Sequence, residues 1–230
     1  MTPMRKVALA GGIVYLVSFV ASIPQLVLYA PLIDDPAGYI TAVRDNTSVL
    51  VGSWLEIVTA ASCVGTAVAL YPATRRVSAT AAIGYVTSRL VEGALIMVGV
   101  LCVLSVVTLQ HHYAGASGAQ QDALAVTGEA LVAMRQWTFL LGPGLIPGVN
   151  ALFLGYVVYR ARLVPRAIPT IGLVGAPLIL ASATGTIFGA WSQTSPVAAL
   201  AALPIAVWEL SLGVYLTVKG FQREPAPLPK

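Results

Sequence analysis

Six apolar runs, at 7–28, 49–71, 80–109, 137–159, 170–191 and 197–218, dominate the chain, each more than twenty residues long and carrying few charges. A bilayer core of about 30 Å at 1.5 Å of rise per residue needs about 20 such residues, so each run predicts a membrane-crossing helix. The fold class expected is all-α: a polytopic membrane protein with six transmembrane helices and one or two short outer-leaflet surface helices. The first run follows Arg5 and Lys6, as the core of a signal peptide would, but signal cores span about 7–15 residues, so it reads as a retained anchor. The inner connections "PATRRVSA" and "RARLVPRAIP" are short and rich in Pro and Arg, which pairs the helices as hairpins. In "SGAQQDALAVTGEALVAMRQW", Leu124, Leu131, Met134 and Trp137 recur at helical spacing. This stretch is predicted to lie amphipathically on the outer leaflet before the fourth crossing begins, as an interfacial anchor or as a lid over an outward-facing cavity.

Composition agrees with lipid as the main solvent: 57% of residues are apolar and 10% charged, against about 45–50% and about 25% in an average soluble domain. The charge of +4 is explained by its distribution. Ten of the thirteen cations, Arg5, Lys6, Arg75, Arg76, Arg160, Arg162, Arg166, Lys219, Arg223 and Lys230, fall on one side of the predicted membrane. The other side keeps Arg44 and Arg135 beside Asp34, Asp35, Asp45, Asp122 and Glu129. By the positive-inside rule both termini are cytoplasmic, and no nucleic-acid partner is expected. The chain reads as one six-helix domain over 1–230 with a short cytoplasmic tail at 219–230.

Cys63 and Cys102 lie in different runs at depths about 20 Å apart, too far for a disulfide. No metal site follows from them, and His111 and His112 read as a solvated loop pair. No P-loop, dinucleotide fingerprint or haem-ligand His within a run is present, so no cofactor is expected.

The polar residues inside the runs are the candidate site: Glu56, Arg89, Glu92, Asn150 and Glu209. Arg89, Asn150 and Glu209 are each nine residues, about 14 Å, from the cytoplasmic end of their helix, and so share one level. Glu92 lies one turn above Arg89 on the same face, with Glu56 higher again in the outer half. An unpaired charge at mid-membrane costs about 2.5–3.5 kcal/mol on insertion scales, so all should face the bundle interior. Arg89, with five donors in a planar fork, is expected to pair with Glu92, Glu209 or both, and Asn150 to complete the network. Three carboxyls against one Arg leave a surplus of negative charge, expected to fall on Glu56, protonated or in touch with water. In the fourth run "GPGLIPGVN" holds two prolines and three glycines, predicting a kink or unwound turn that ends at Asn150.

The "LE" of the second run with "ALYP" and "RR" after it, "SRLVEG", "PGLIPGVN", "LVPRAIPTIGLVGAPL", "FG" and "LPIAVWELSLGVYLTVKGF" together resemble a bacterial multi-pass membrane protein family catalogued as domain of unknown function 4386. The resemblance covers nearly the whole chain. It implies a six-helix protein of the bacterial inner membrane and names Glu56, Arg89, Glu92, Asn150 and Glu209 as the polar positions that recur. It brings no catalytic role.

Three functions stay open on the sequence. The buried Arg, Glu and Asn side chains could line a cavity that binds or transports a small molecule or lipid. Glu92 or Glu209 could act as an acid or base, although no Ser-His or Cys-His pair, HExxH or paired intramembrane aspartates accompany them. The charges could instead be an ion-pair lock in a structural or regulatory subunit, with Gly11, Gly12 and "GLVGAPL" permitting close helix approach within the bundle or with a second copy of the chain.

Overall fold

The computed structural model describes residues 1–41, 45–113 and 116–223, and among these every regular element is a helix. The helices are α1 (Pro3–Ser22), α2 (Gln25–Leu28), α3 (Ala30–Asp34), α4 (Pro36–Thr41), α5 (Thr47–Thr74), α6 (Ala79–Tyr113), α7 (Ala119–Leu141), α8 (Ile146–Arg160), α9 (Ala167–Ile187) and α10 (Pro196–Val218). Six units are long and apolar enough to cross a membrane: Pro3–Leu28, Thr47–Thr74, Ala79–Tyr113, Ala119–Arg160, Ala167–Ile187 and Pro196–Val218. Local chemistry sets the starts of the first and last. The Thr2 hydroxyl accepts from Arg5 N at 3.2 Å and the Ser195 hydroxyl from Ala198 N at 3.2 Å, each ahead of a proline in the first turn.

The helices close a ring in the order α1, α5, α6, α8, α9, α10 and back to α1, with α7 laid along α6. The end of the ring that carries Arg5, Arg75, Arg160 and Lys219 is the basic end, and the opposite end is the far end. A glycine sets the α1–α10 contact: a Cβ on Gly12 would come within 2.6 Å of Thr217 N and 2.8 Å of Gly213 O. Arg5 then ties the first helix to the last, donating from its guanidinium to the Leu216 and Thr217 carbonyls at 2.8 Å each. These carbonyls are left over at the C-terminus of α10, where a cation is also favoured by the helix dipole.

Two large apolar cores and a small cluster of Ala60, Cys63 and Ile96 make up the interior. Tyr15, Tyr85, Leu154, Trp208 and Leu212 belong to the one in the basic half. Tyr29, Leu32, Ile40, Val49, Val106 and Val132 belong to the other, at the far end, where the short helices α3 and α4 cover the tops of α5, α6 and α7. Asn46 fastens this cover, accepting from the Tyr39 hydroxyl at 2.5 Å and donating to Gln110 Oε1 at 2.6 Å. The ring is stepped. From the level of Arg89, α6 continues for another 24 residues, about 36 Å, whereas α10 begins only 13 residues, about 20 Å, above Glu209.

The stretch expected to lie flat on the membrane stands upright instead. α7 runs antiparallel to α6: Val132 packs with Val103 and Val106, Gly99 faces Thr138 and Arg135, and Gly142 faces Leu95. An apolar stripe serves equally against acyl chains or against another helix, and α6 supplies a valine surface to receive it; Asp122 and Glu129 stay on the exposed side. The fourth crossing therefore begins at Ala119, not at Trp137, and consists of two helices. The fifth ends at Ile187 rather than Trp191, because Gly189 adopts φ +75 and the chain turns back to lay Trp191 over Gly185. Arg44 and the tail beyond residue 223, with Lys230, lie outside the described residues.

Gly12→Ala should lower the melting temperature in detergent by more than Gly65→Ala does. The added methyl meets α10 backbone at position 12, but at position 65 it meets the end of the Val14 side chain, which can turn aside; overpacking of this kind costs about 1–3 kcal/mol.

Candidate functional site

Tyr85, Ser88, Arg89 and Glu92 recur at three- and four-residue spacing on α6 and so share the face turned into the ring. Arg89 is 2% exposed. One terminal nitrogen donates to Glu92 Oε2 at 2.8 Å, the other reaches Glu209 Oε1 on α10 at 3.4 Å, and Nε donates to the Tyr85 hydroxyl at 3.3 Å. The guanidinium also lies over the Tyr15 ring of α1, 4.9 Å from its centroid. Asn150, on α8 just past the helix break, donates to Glu92 Oε2 at 2.7 Å and accepts from the Ser88 hydroxyl at 2.6 Å. Four of the five predicted residues, on three helices, therefore meet in one network. Arg89 and Glu92 are buried, and every buried side-chain donor and acceptor in this set has a partner.

Glu56 is not part of it. It lies nearer the far end of α5 and pairs with Arg135 of α7 at 2.5 Å, while the Tyr29 hydroxyl donates to its other oxygen at 3.2 Å. Arg135, placed by the sequence reading on the outer side, is 4% exposed inside the bundle, between the Tyr29 ring at 5.3 Å and the Phe139 ring at 5.1 Å. A second buried cation thus neutralises Glu56, and the carboxyl surplus expected there falls instead on the Arg89 level, where Glu92 and Glu209 share one guanidinium. Charge balance was the available signal for the second cation: three buried carboxyls called for more than one Arg, and Arg135 falls in the apolar periodicity of Leu131 and Met134. Gly99 makes room, since a Cβ there would meet Arg135 Cδ at 3.2 Å.

Between the two ion pairs the fourth crossing breaks at 142–145, as "GPGLIPGVN" predicts, and the break opens one side of a cavity of about 450 Å³. Its walls come from Leu26 of α2, Phe139 and Leu140 of α7, Gly144 of the break, and Ala199 and Ala202 of α10; Thr186 of α9 with Gln193 and Ser195 gives it a polar rim. No charged side chain and none of the five predicted residues is part of its lining. The four buried side-chain atoms without a hydrogen-bond partner, among the described residues, are Gln25 Oε1, Arg135 Nε, Thr186 Oγ1 and Trp191 Nε1. All four belong to residues of the far half. Thr186 lines the cavity itself, Gln25 precedes the lining residue Leu26, Arg135 stacks on the lining residue Phe139, and Trp191 covers Gly185 beside Thr186.

Residues 10–220 match the family model described as Domain of unknown function (DUF4386). The chain belongs to this family. No curated protein and no solved structure matches it. What is shown of this member is therefore a multi-pass membrane protein with six apolar helices and, among the described residues, buried ion pairs at two levels, around Arg89 and around Arg135, with a cavity beside the second.

Breaking either pair should be costly, because the remaining charge is left buried. Arg135→Met and Glu56→Met are each expected to destabilise the protein by about 3–5 kcal/mol, and the double variant to recover much of that loss. A denaturation double-mutant cycle in detergent checks the coupling, and additive losses would show that the pair does not interact.

Proposed function

We propose that the protein binds a small uncharged amphiphile in the far-end cavity, as the binding step of a carrier or receptor. The observation that carries this reading is an uncharged cavity with the unpartnered Thr186 hydroxyl on its wall, while the buried polar atoms of the Arg89 network all have partners. An unsatisfied buried polar group costs about 1–3 kcal/mol, a cost a ligand can offset by hydrogen bonding. The Thr186 hydroxyl can donate, which favours a head group with acceptor oxygens, such as an ester. The lining carries no charge and Glu56 already neutralises Arg135, which disfavours an ionic head. A volume of about 450 Å³ is within the range of about 300–1,000 Å³ usual for small-molecule sites. At about 30 Å³ per water-sized group it admits roughly fifteen non-hydrogen atoms.

The one-sided cations support both termini being cytoplasmic in a bacterial inner membrane, so the cavity would face the outer leaflet. On this reading Arg89 is a lock beneath the site rather than a ligand-binding group. The completeness of its pairing also favours a second reading, a structural or regulatory subunit whose charges only hold the ring together.

Radiolabelled methyl decanoate should bind the purified protein in nanodiscs and resist displacement by decyltrimethylammonium. Ala199→Trp, which fills the cavity from an exposed position, should weaken retention by about tenfold or more. Equal retention by the variant, or displacement by the cation, would contradict the proposal and leave the structural reading.

A further inference from the structure

The Arg89 level holds one cation and two carboxylates, and the two are not held alike. Glu92 takes the short contact from Arg89 and a second hydrogen bond from Asn150. Glu209 has the 3.4 Å contact alone. Their side chains are 7% and 21% exposed, so Glu209 is the member of the network that looks onto open space.

That space is not lipid. Leu203, Val207, Leu210 and Val214 are the exposed side of α10, and at 100° per residue Glu209 is turned well away from them. It stands on the inner face between Trp208, packed in the basic-half core, and Gly213, packed against Tyr15 and Leu16 of α1. The same face carries Ala202, seven residues and two turns nearer the far end, and Ala202 lines the cavity. The partly exposed carboxylate lies on this inner face, outside the cavity lining.

We propose that Glu209 is a proton-binding site. The groups facing it are Arg89, Glu92 and Tyr85 from α6, Tyr15 from α1 and Cys63 from α5; α8 offers the uncharged Asn150, and α9 contains no titratable residue. Of the two carboxyls beside the guanidinium, Glu209 is the more exposed and the less hydrogen-bonded, which makes it the one placed to take up a proton. A hydronium ion gives its proton to the Glu209 carboxylate and leaves water behind; release reverses the step. Arg89 stays charged throughout, with Glu92 as its fixed partner. Glu209 is not part of the cavity lining, so this inference stands apart from the amphiphile and is tested without one.

Infrared difference spectroscopy of the protein in nanodiscs, titrated between about pH 5 and about pH 9, should show the C=O band of a protonated carboxyl changing by one group. The change should persist in Glu56→Gln, persist with a displaced midpoint in Glu92→Gln, and vanish in Glu209→Gln, whose amide keeps an acceptor for Arg89 and so keeps the bundle folded. An unchanged titration in Glu209→Gln, or no titrating carboxyl in the natural protein, would overturn the assignment.

Discussion

A guanidinium buried inside the bundle is the constraint from which the ring follows. Arg89 has five N–H donors and a full charge in a low-dielectric interior, and leaving these unmet would cost more than most single contacts return. Its partners come from three other elements of the ring as well as its own helix: Glu209 on α10, the Tyr15 ring on α1, and Asn150 on α8 acting through Glu92. Apolar packing cannot select this arrangement, because lipid tails and leucine side chains are equivalent surroundings for an apolar face. The polar contacts specify which faces turn inward, and small residues such as Gly12 set how closely the backbones come.

The second ion pair solves the same problem differently. Glu56 and Arg135 neutralise one another, but Arg135 Nε remains unpartnered and Tyr29 and Phe139 supply aromatic faces in place of further hydrogen bonds. The fourth crossing joins the two levels, with Arg135 before its break and Asn150 after it. Non-helical backbone at membrane depth is tolerated where protein or a cavity receives its polar groups, and the break at 142–145 borders the cavity. The interior is therefore closely paired toward the basic end, and roomy with polar atoms to spare toward the far end.

Much of the candidate site was legible in the chain. Counting residues from the helix ends put Arg89, Asn150 and Glu209 at one depth, and depth survives folding because a straight helix has a fixed rise. Arg135 was not legible in the same way. It sits in a stretch with polar residues on one side, and an amphipathic pattern does not say whether its apolar stripe meets a leaflet or another helix. The cavity was illegible for a further reason: Leu26, Phe139, Thr186 and Ala199 are ordinary membrane-helix residues, distant in sequence, and only the packing of α2, α7, α9 and α10 brings them around one space.

The sequence by itself determined that the chain crosses the membrane six times, where the fourth crossing breaks, and that its few charges must meet inside, because solvation costs act on each residue wherever its neighbours lie. Tertiary structure alone decided which charges meet. Glu56 takes Arg135 and not Arg89, and α7 stands on α6 rather than on the lipid, since partner choice depends on the rotation and height of whole helices. These are set by side-chain fit around the ring, and no local pattern records them.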